Sequence, residues 1–327
     1  MNIKKTGLNV PHISPVADGI HRPFWSVMIP TYNCADLLVQ TLESVLAQDP
    51  GPDKMQIEVI DDCSTKDDPE AVVNAIGKAR VKFFRKPQNE GAVANFNTCI
   101  QRSTGHWVHI LHGDDLVQPG FYEKMQELVD RNPETGSALC CFHLIDEHND
   151  LYGSQESEQE TPGILLNWLD RIVLSNRTSF AAIVVKRSAY EEIGGYHPEL
   201  FHTADWEMWK RLAFYYPAAY QPEILASYRI HSASDSFRLV KSGANIVDAR
   251  RSIKISENYL PTDKVNKMSL QARRILSSHA LMLFNKALSR KDYATALSQL
   301  REALICSPLR TVKQLTHQNL VLLFPKG

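Results

Sequence analysis

Three times in its N-terminal third the chain runs apolar for a few residues and then stops on a polar cluster. Val27, Met28 and Ile29 lead to Thr31, Tyr32 and Asn33. Ile57, Val59 and Ile60 lead to Asp61, Asp62 and Ser64. Trp107 to Leu111 lead to His112, Gly113, Asp114 and Asp115. Short apolar runs bounded by turn residues read as buried strands. Between the first two, Leu38, Leu42, Val45 and Leu46 recur at helical spacing, with Asn33 as the expected cap. A second helix is expected from about Ala92 to Arg102, closed by Gly105. Strands alternating with helices imply parallel pairing through right-handed crossovers. In such sheets ligands bind beyond the carboxyl ends of the strands, so three polar clusters at three such ends predict a site.

Further elements follow the same reading. Val81 to Phe84 is a third strand, and Ala138 to Phe142 a fifth, after a helix with Pro119 at its first position. Glu147 to Glu160 is polar and reads as a loop or hairpin tip. Phe180 to Lys186 is a strand, Ser188 starts a short helix ending at Gly194 and Gly195, Trp206 to Tyr215 is helical, and Leu225 to Ile230 is extended. From about Asp248 the chain reads as helical. Ala280, Leu283, Phe284, Ala287 and Leu288 form one stripe, and Tyr293, Ala296, Leu297, Leu300 and Leu304 another. That pair resembles one helical hairpin of the tetratricopeptide kind, which cannot stand alone and reads as an appendage.

Composition narrows the function classes. With 327 residues and 43% hydrophobic content, a sizeable core can form. A formal net charge of −1 gives no electrostatic case for nucleic acid as a partner. The six cysteines are dispersed, with no zinc-like spacing, and read as reduced thiols of a cytoplasmic protein. Residues 1–24, with Pro11, Pro15 and Pro23, read as an extended arm without an apolar leader. No stretch approaches the about 20 apolar residues that span a bilayer. Leu320 to Phe324, after Arg310 and Lys313, read first as a docked helix, with peripheral contact at the inner face of a membrane, or with a protein, as the alternative.

Adjacent carboxylates are costly together unless a cation or basic group offsets them. Asp114 and Asp115 sit where a hard cation with bound phosphates would do so. Alone, the pair reads more readily as solvated turn residues or a helix cap, and Asp61 and Asp62 as an Asx turn with Ser64. Asp205, opening an amphipathic helix, reads as evenly as a plain N-cap or as a functional carboxylate.

Taken in order, these segments resemble an inverting glycosyltransferase of family two. The matching stretches are Ser26-Val-Met-Ile-Pro-Thr-Tyr-Asn33, Glu58-Val-Ile-Asp-Asp-Cys-Ser64, Asn89-Glu-Gly91 with Asn97, Ile110-Leu-His-Gly-Asp-Asp115, Asp205-Trp-Glu-Met-Trp209 and Tyr228-Arg-Ile-His231. Each is weak alone; their order and spacing are specific. The resemblance runs from Trp25 to His231. It implies a GT-A-type, Rossmann-like nucleotide-binding domain with a mostly parallel sheet. Joined to the arm and the helical tail read from the residues, this gives an α/β fold with a C-terminal α-helical appendage: an arm (1–24), a transferase domain (25–247) with a donor half (25–142) and an acceptor half (143–247), and a helical region (248–327).

The resemblance also implies roles. Pro30 and Tyr32 would lie along the nucleobase, Asp62 would accept from the base ring, and Asn89 and Gly91 would line the nucleotide. Asp114 and Asp115 would be the DxD-like aspartates facing ribose, metal and diphosphate. His231 would approach the metal, Mn2+ or Mg2+, or the diphosphate. Asp205 would be the catalytic base. Trp168, Arg177 and Phe180 fall where such enzymes build the acceptor site, while Trp206, Trp209 and Tyr228 read as core. Two positions depart from the family pattern: His112 stands where Asp is frequent, leaving one fewer acid near the metal, and Ala204 where Glu is frequent. The implied activity is transfer from a nucleotide-sugar, a UDP-sugar by preference, to a glycan or lipid-linked acceptor with inversion. A nucleotidyltransferase would want a Gly-rich basic loop after the first strand, where Thr31-Tyr-Asn-Cys34 stands. A non-catalytic scaffold presenting its helical tail would not need Asp205 and both aspartate pairs.

Overall fold

The computed structural model describes residues 8–231 and 235–323. Its strands are β1 (Trp25–Thr31), β2 (Met55–Asp61), β3 (Lys82–Arg85), β4 (Trp107–Ile110), β5 (Leu116–Val117), β6 (Ser137–Ile145), β7 (Leu151–Ser154), β8 (Gly163–Ile164), β9 (Ile183–Lys186) and β10 (Ala218–Arg229). They form one sheet in the order β3-β2-β1-β4-β9-β6-β10-β5, with β7 on β6 and β8 on β10. The helices are α1 (Ala35–Leu46), α2 (Pro69–Val72), α3 (Ala92–Arg102), α4 (Phe121–Arg131), α5 (Trp168–Ile172), α6 (Arg187–Ile193), α7 (Ala204–Tyr215), α8 (Asp235–Ser242), α9 (Ala244–Ser256), α10 (Val265–Ser289), α11 (Tyr293–Cys306) and α12 (Pro308–Leu323).

The central strand is β1, buried along its whole length and parallel to β2 and β4. Parallel pairing also joins β2 to β3 and β6 to β10. It does not hold throughout. β9 inserts antiparallel between β4 and β6. The chain reaches β9 after the β6–β7 hairpin and short elements, so no single crossover helix fixes its direction. The polar segment expected as a hairpin tip is that hairpin, turning at Asp146–Asp150.

The chain divides into two compact units, residues 1–168 with 177–230, and residues 169–176 with 231–327. The first carries the sheet. Its core joins Val27, Ile29, Leu38, Leu42, Ile57 and Val59 to Trp107, Phe121 and Met125. The arm expected to be extended has no regular element over 8–24, but it is docked: Ile13 is fully buried, Pro11 O accepts Gly195 N–H at 2.8 Å, and Ser14 O accepts from Arg187 at 3.1 Å. Gly105 does not close α3, which ends at Arg102 on an extended Ser103. Instead Gly105 lets the chain cross β1, where a Cβ would lie 2.7 Å from Ser26 N and Trp25 C. Pro119 does not occupy the first position of α4; Gly120, with φ +84, precedes Phe121 there.

The second unit is helical from Asp235, so the boundary expected at 247 falls inside α9. Its core joins Ile246, Ala280, Leu281, Ala303 and Cys306. Asp292 caps α11 by accepting from Thr295 N–H and Oγ1–H. The stripe expected on α11 is rotated. Tyr293, Leu297 and Leu304 are exposed, and the buried face runs through Thr295, Ala296, Gln299, Glu302, Ala303 and Cys306. Gln299 donates to Val240 O and Asn245 Oδ1, and Glu302 pairs with Arg250 at 2.6 Å, so partners inside the unit take up the amide donors and the carboxylate of this face, while Gln299 Oε1 has no hydrogen-bond partner among the described residues. Leu320 to Leu323 end α12, and Phe324 lies outside the described residues. No described helix is long and apolar enough to cross a membrane.

Candidate functional site

Strand register brings the three polar clusters together. Thr31 pairs with Asp61 at the ends of β1 and β2, and Met28 with Ile110 on β4. Beyond β4 the chain keeps following β1: Leu111 N–H donates to Met28 O and Gly113 N–H to Pro30 O. Gly113 allows that approach, since a Cβ there would stand 3.2 Å from both Cys34 Sγ and Thr31 Oγ1.

The β1 and β2 loops are tied to each other. Asn33 does not cap α1. It sits at φ +53, its Oδ1 accepts from Thr65 N–H and Lys66 N–H at 2.9 Å, and its own N–H donates to Ser64 Oγ at 2.8 Å. The helix start is served instead by Asp67, which accepts from Ala35 N–H at 2.7 Å. Asp61, fully buried, accepts from Ser64 Oγ–H at 2.5 Å and pairs with Arg85 at 2.7 Å. Burial pushes the Cys34 thiol, between these loops, up to about 12, so it stays protonated and inert at neutral pH.

Asp62 is turned into the protein. It is 2% exposed; its carboxylate accepts from Glu90 N–H at 3.1 Å and Gly91 N–H at 2.8 Å, and it pairs with buried Lys86 at 3.0 Å. Asn89 donates to Asp62 O at 3.1 Å. Asp62 therefore shapes the 89–91 turn that opens α3. Its carboxylate accepts from protein donors on both oxygens, and the base contact assigned to it rests on the resemblance alone. Pro30 lies buried within β1, whereas Tyr32, one residue past the strand, is 47% exposed and free to present its ring.

The aspartate loop is the electrostatic centre. Ligand atoms of His112, Asp114 and Asp115 lie within 4.8 Å of one another. Asp115 is 1% exposed. Its Oδ1 accepts Arg229 N–H at 2.9 Å, and among the described residues its buried Oδ2 has no hydrogen-bond partner. Burial, with the Asp114 charge beside it, pushes the Asp115 carboxyl well above the usual carboxylate range. The buried Arg229 guanidinium fixes the loop from behind, donating to Asp114 O at 2.7 Å, Asp146 O at 2.8 Å and Gln40 Oε1 at 3.0 Å. Thr41 Oγ1–H donates to Asp115 O at 2.8 Å. An inward-aimed carboxylate oxygen with no donor is what a bound divalent cation would satisfy.

An aromatic cluster connects this loop to α7. The His112 ring stacks on Phe96 (centroids 5.1 Å, 12°) and lies against Phe180 (4.4 Å, 36°). Phe180 also meets Trp209 edge-on at 5.5 Å. Asp205 stands one helical turn before Trp209, in the first turn of α7, and its carboxylate accepts Trp206 N–H at 2.6 Å. Thr203, not Asp205, is the N-cap residue. The stack thus holds Trp209, which lies on the same helix as Asp205, four residues further on.

The acceptor candidates fare differently. Phe180 is buried in the stack, and Trp168 is buried at the start of α5. Arg177 is partly exposed and pairs with Glu158 at 2.7 Å. His231 opens the second unit, and its assignment to the metal rests on the resemblance alone. Asn97, part of the matched pattern, holds the backbone of Tyr196 through two hydrogen bonds of 3.1 and 2.7 Å. Sequence reading missed Arg229, Thr41, Phe96, Lys86 and Arg85. Arg229 stood inside a quoted motif; the others carry no local signal, because their partners lie on other strands and loops.

Comparison with known proteins agrees with this picture. A family model described as "Glycosyl transferase family 2" matches residues 26–194. An uncharacterized protein of Mycobacterium tuberculosis is 23% identical over 243 residues, 70% of this chain and 74% of that one. The succinoglycan biosynthesis protein ExoO of Rhizobium meliloti is 30% identical over 137 residues, 42% of this chain and only 36% of that longer one. The crystal structure of S. aureus TarS 1–349 in complex with UDP-GlcNAc matches with a TM-score of 0.66 at 16% identity, over 88% of this chain and 82% of that one. At that identity the likeness speaks for the fold: a GT-A-type sheet with a helical C-terminal region.

Proposed function

The chain belongs to glycosyl transferase family 2, and from that premise we propose that it moves a sugar from a UDP-sugar to an acceptor hydroxyl, with inversion and with a divalent metal. The observation that carries this reading is the aspartate loop itself: clustered ligand atoms from His112, Asp114 and Asp115, with a buried Asp115 oxygen that has no hydrogen-bond partner among the described residues, at the joint carboxyl ends of β1, β2 and β4. Tyr32 offers its exposed ring to the base, and Asp62 holds the Asn89–Gly91 turn beside it. A uracil donor agrees with the UDP-GlcNAc complex of the TarS relative in fold. Asp114 and Asp115 would hold Mn2+ or Mg2+, which when bound neutralises charge on the leaving diphosphate. Asp205 takes the proton of the acceptor hydroxyl as it attacks the anomeric carbon. The acceptor is a glycan or a lipid-linked sugar, as suits the named role of ExoO, and Arg177 is the acceptor-side candidate that remains accessible.

Calorimetry of UDP, GDP and dTDP, each with Mn2+ and with chelator, tests the donor and the metal. Tighter binding of GDP or dTDP than of UDP overturns the uracil donor, and equal binding in chelator overturns the metal. Asp205→Asn should lose ~10²–10⁴ in transfer rate with UDP affinity unchanged. A product retaining the donor's anomeric configuration refutes the single displacement.

A further inference from the structure

Resting on the metal reading above, we propose that His112 is a direct ligand of the divalent ion through Nε2, and that this nitrogen makes the site select Mn2+ over Mg2+. Three observations converge on it. The imidazole belongs to the set of ligand atoms within 4.8 Å of one another, with Asp114 and Asp115. Its Nε2 is buried and, among the described residues, has no hydrogen-bond partner, as is also true of Asp115 Oδ2 in the same cluster. The ring packs on Phe96 and Phe180, which also touch each other, so three mutually contacting rings fix its plane.

The fold supplies its own control three residues upstream. His109 is equally aromatic in its setting, stacked on Phe121 at 4.7 Å, but both its nitrogens are satisfied, by Tyr122 Oη and Ala181 O, each at 3.2 Å. A histidine kept for packing is thus fully hydrogen-bonded here, whereas His112, in the cluster with the two carboxylates, keeps a buried nitrogen without a hydrogen-bond partner among the described residues. A phenylalanine would fill the same slot without the orphaned atom.

Selectivity follows from donor chemistry. Mg2+ demands near-octahedral oxygen ligation and dehydrates reluctantly. Imidazole suits the transition metals, and replacing one carboxylate by a neutral nitrogen removes charge that Mg2+ relies on more heavily.

The test uses the full-length chain with Mn2+ and UDP, read by pulsed electron spin-echo modulation and by Mg2+ competition. Wild type should show directly coordinated imidazole nitrogen. His112→Phe keeps the ring stack and should fold with equal or higher stability in chelator. It should lose the nitrogen signal and weaken Mn2+ by at least the ~10–100-fold typical of disturbing the groups around a metal. His112→Asp should let Mg2+ compete more strongly. Mn2+ bound without nitrogen coupling, or coupling that survives His112→Phe, overturns the ligand while leaving the metal reading intact. A Mn2+-to-Mg2+ preference unchanged in His112→Asp overturns the selectivity. No Mn2+ binding to wild type overturns the metal reading, and this proposal with it.

Discussion

Asp115→Asn should make the metal-free protein more stable and the metal-loaded protein less stable, so that the sign of the change reverses with chelator. In the wild type the Asp115 carboxylate is 1% exposed, with Asp114 beside it and Oδ2 unpartnered among the described residues. An unmatched buried polar group costs about 1–3 kcal/mol, more when charged. Asparagine keeps an acceptor for Arg229 N–H, which Oδ1 now receives at 2.9 Å, and replaces a group that must either bury its charge or hold a proton against solution pH. It leaves an amide donor in place of the unmatched oxygen, so the net gain in chelator is on the order of 1 kcal/mol. In a unit of this size that raises Tm by roughly 2–4 °C. With Mn2+ and UDP together at a hundred times the wild-type Kd, binding adds about 2.7 kcal/mol to the wild type. The variant, short of one ligand, forgoes most of that and ends roughly 1–2 kcal/mol below wild type. Thermal unfolding of both proteins at one pH, in EDTA and in Mn2+ plus UDP, gives the four numbers needed. A variant less stable in EDTA would show that burial of the Asp115 carboxyl costs the metal-free fold nothing. An equal ligand-induced shift in both proteins would show that Asp115 holds no metal.

Three further outcomes are expected. Asp114→Ala should weaken UDP binding in Mn2+ far more than in chelator, and calorimetry giving the same loss in both would assign Asp114 to the nucleotide alone. His109 is fully buried and burial lowers its pKa from 6.5 to about 3. Its contribution to stability is therefore complete above 6.5 and is lost as pH falls toward 3, at up to about 1.4 kcal/mol per pH unit. His109→Gln should flatten the urea midpoint against pH between 6.5 and 4, and an unchanged slope would mean that the folded state takes up the proton. Gly105→Ala puts a Cβ 2.7 Å from β1 backbone and should cost about 3 kcal/mol. Gly153→Ala, whose Cβ would meet only Leu144 at 3.9 Å, should be near neutral by the same urea titration.

What could be read from the sequence was whatever depends on neighbours along the chain. Apolar runs ending on Asp61-Asp62 and Asp114-Asp115 gave strand ends, and parallel register between β1, β2 and β4 then left little freedom in where those ends meet. Helix ends were less legible wherever a distant group supplies the cap. Asn33 looks like a cap by residue type, yet it ties down the β2 loop, while Asp67, thirty-two residues away, receives the Ala35 N–H. Asp62 looks like a ligand-facing acid at a strand end, and the fold also makes it the anchor of the turn before α3, a role that no local pattern announces. The stripe on α11 failed for a related reason. Tyr293 and Leu297 are the more apolar choice, but Gln299 and Glu302 have partners on α8 and α9 that make their burial favourable. Residue type fixes what a side chain can do, and only the partner brought up by the fold fixes which of those things it does. His112 shows the point most sharply. As a letter it reads as a lost acid. Beside Asp115, with its ring pinned by Phe96 and Phe180, the same residue is the only member of the cluster that brings nitrogen to it.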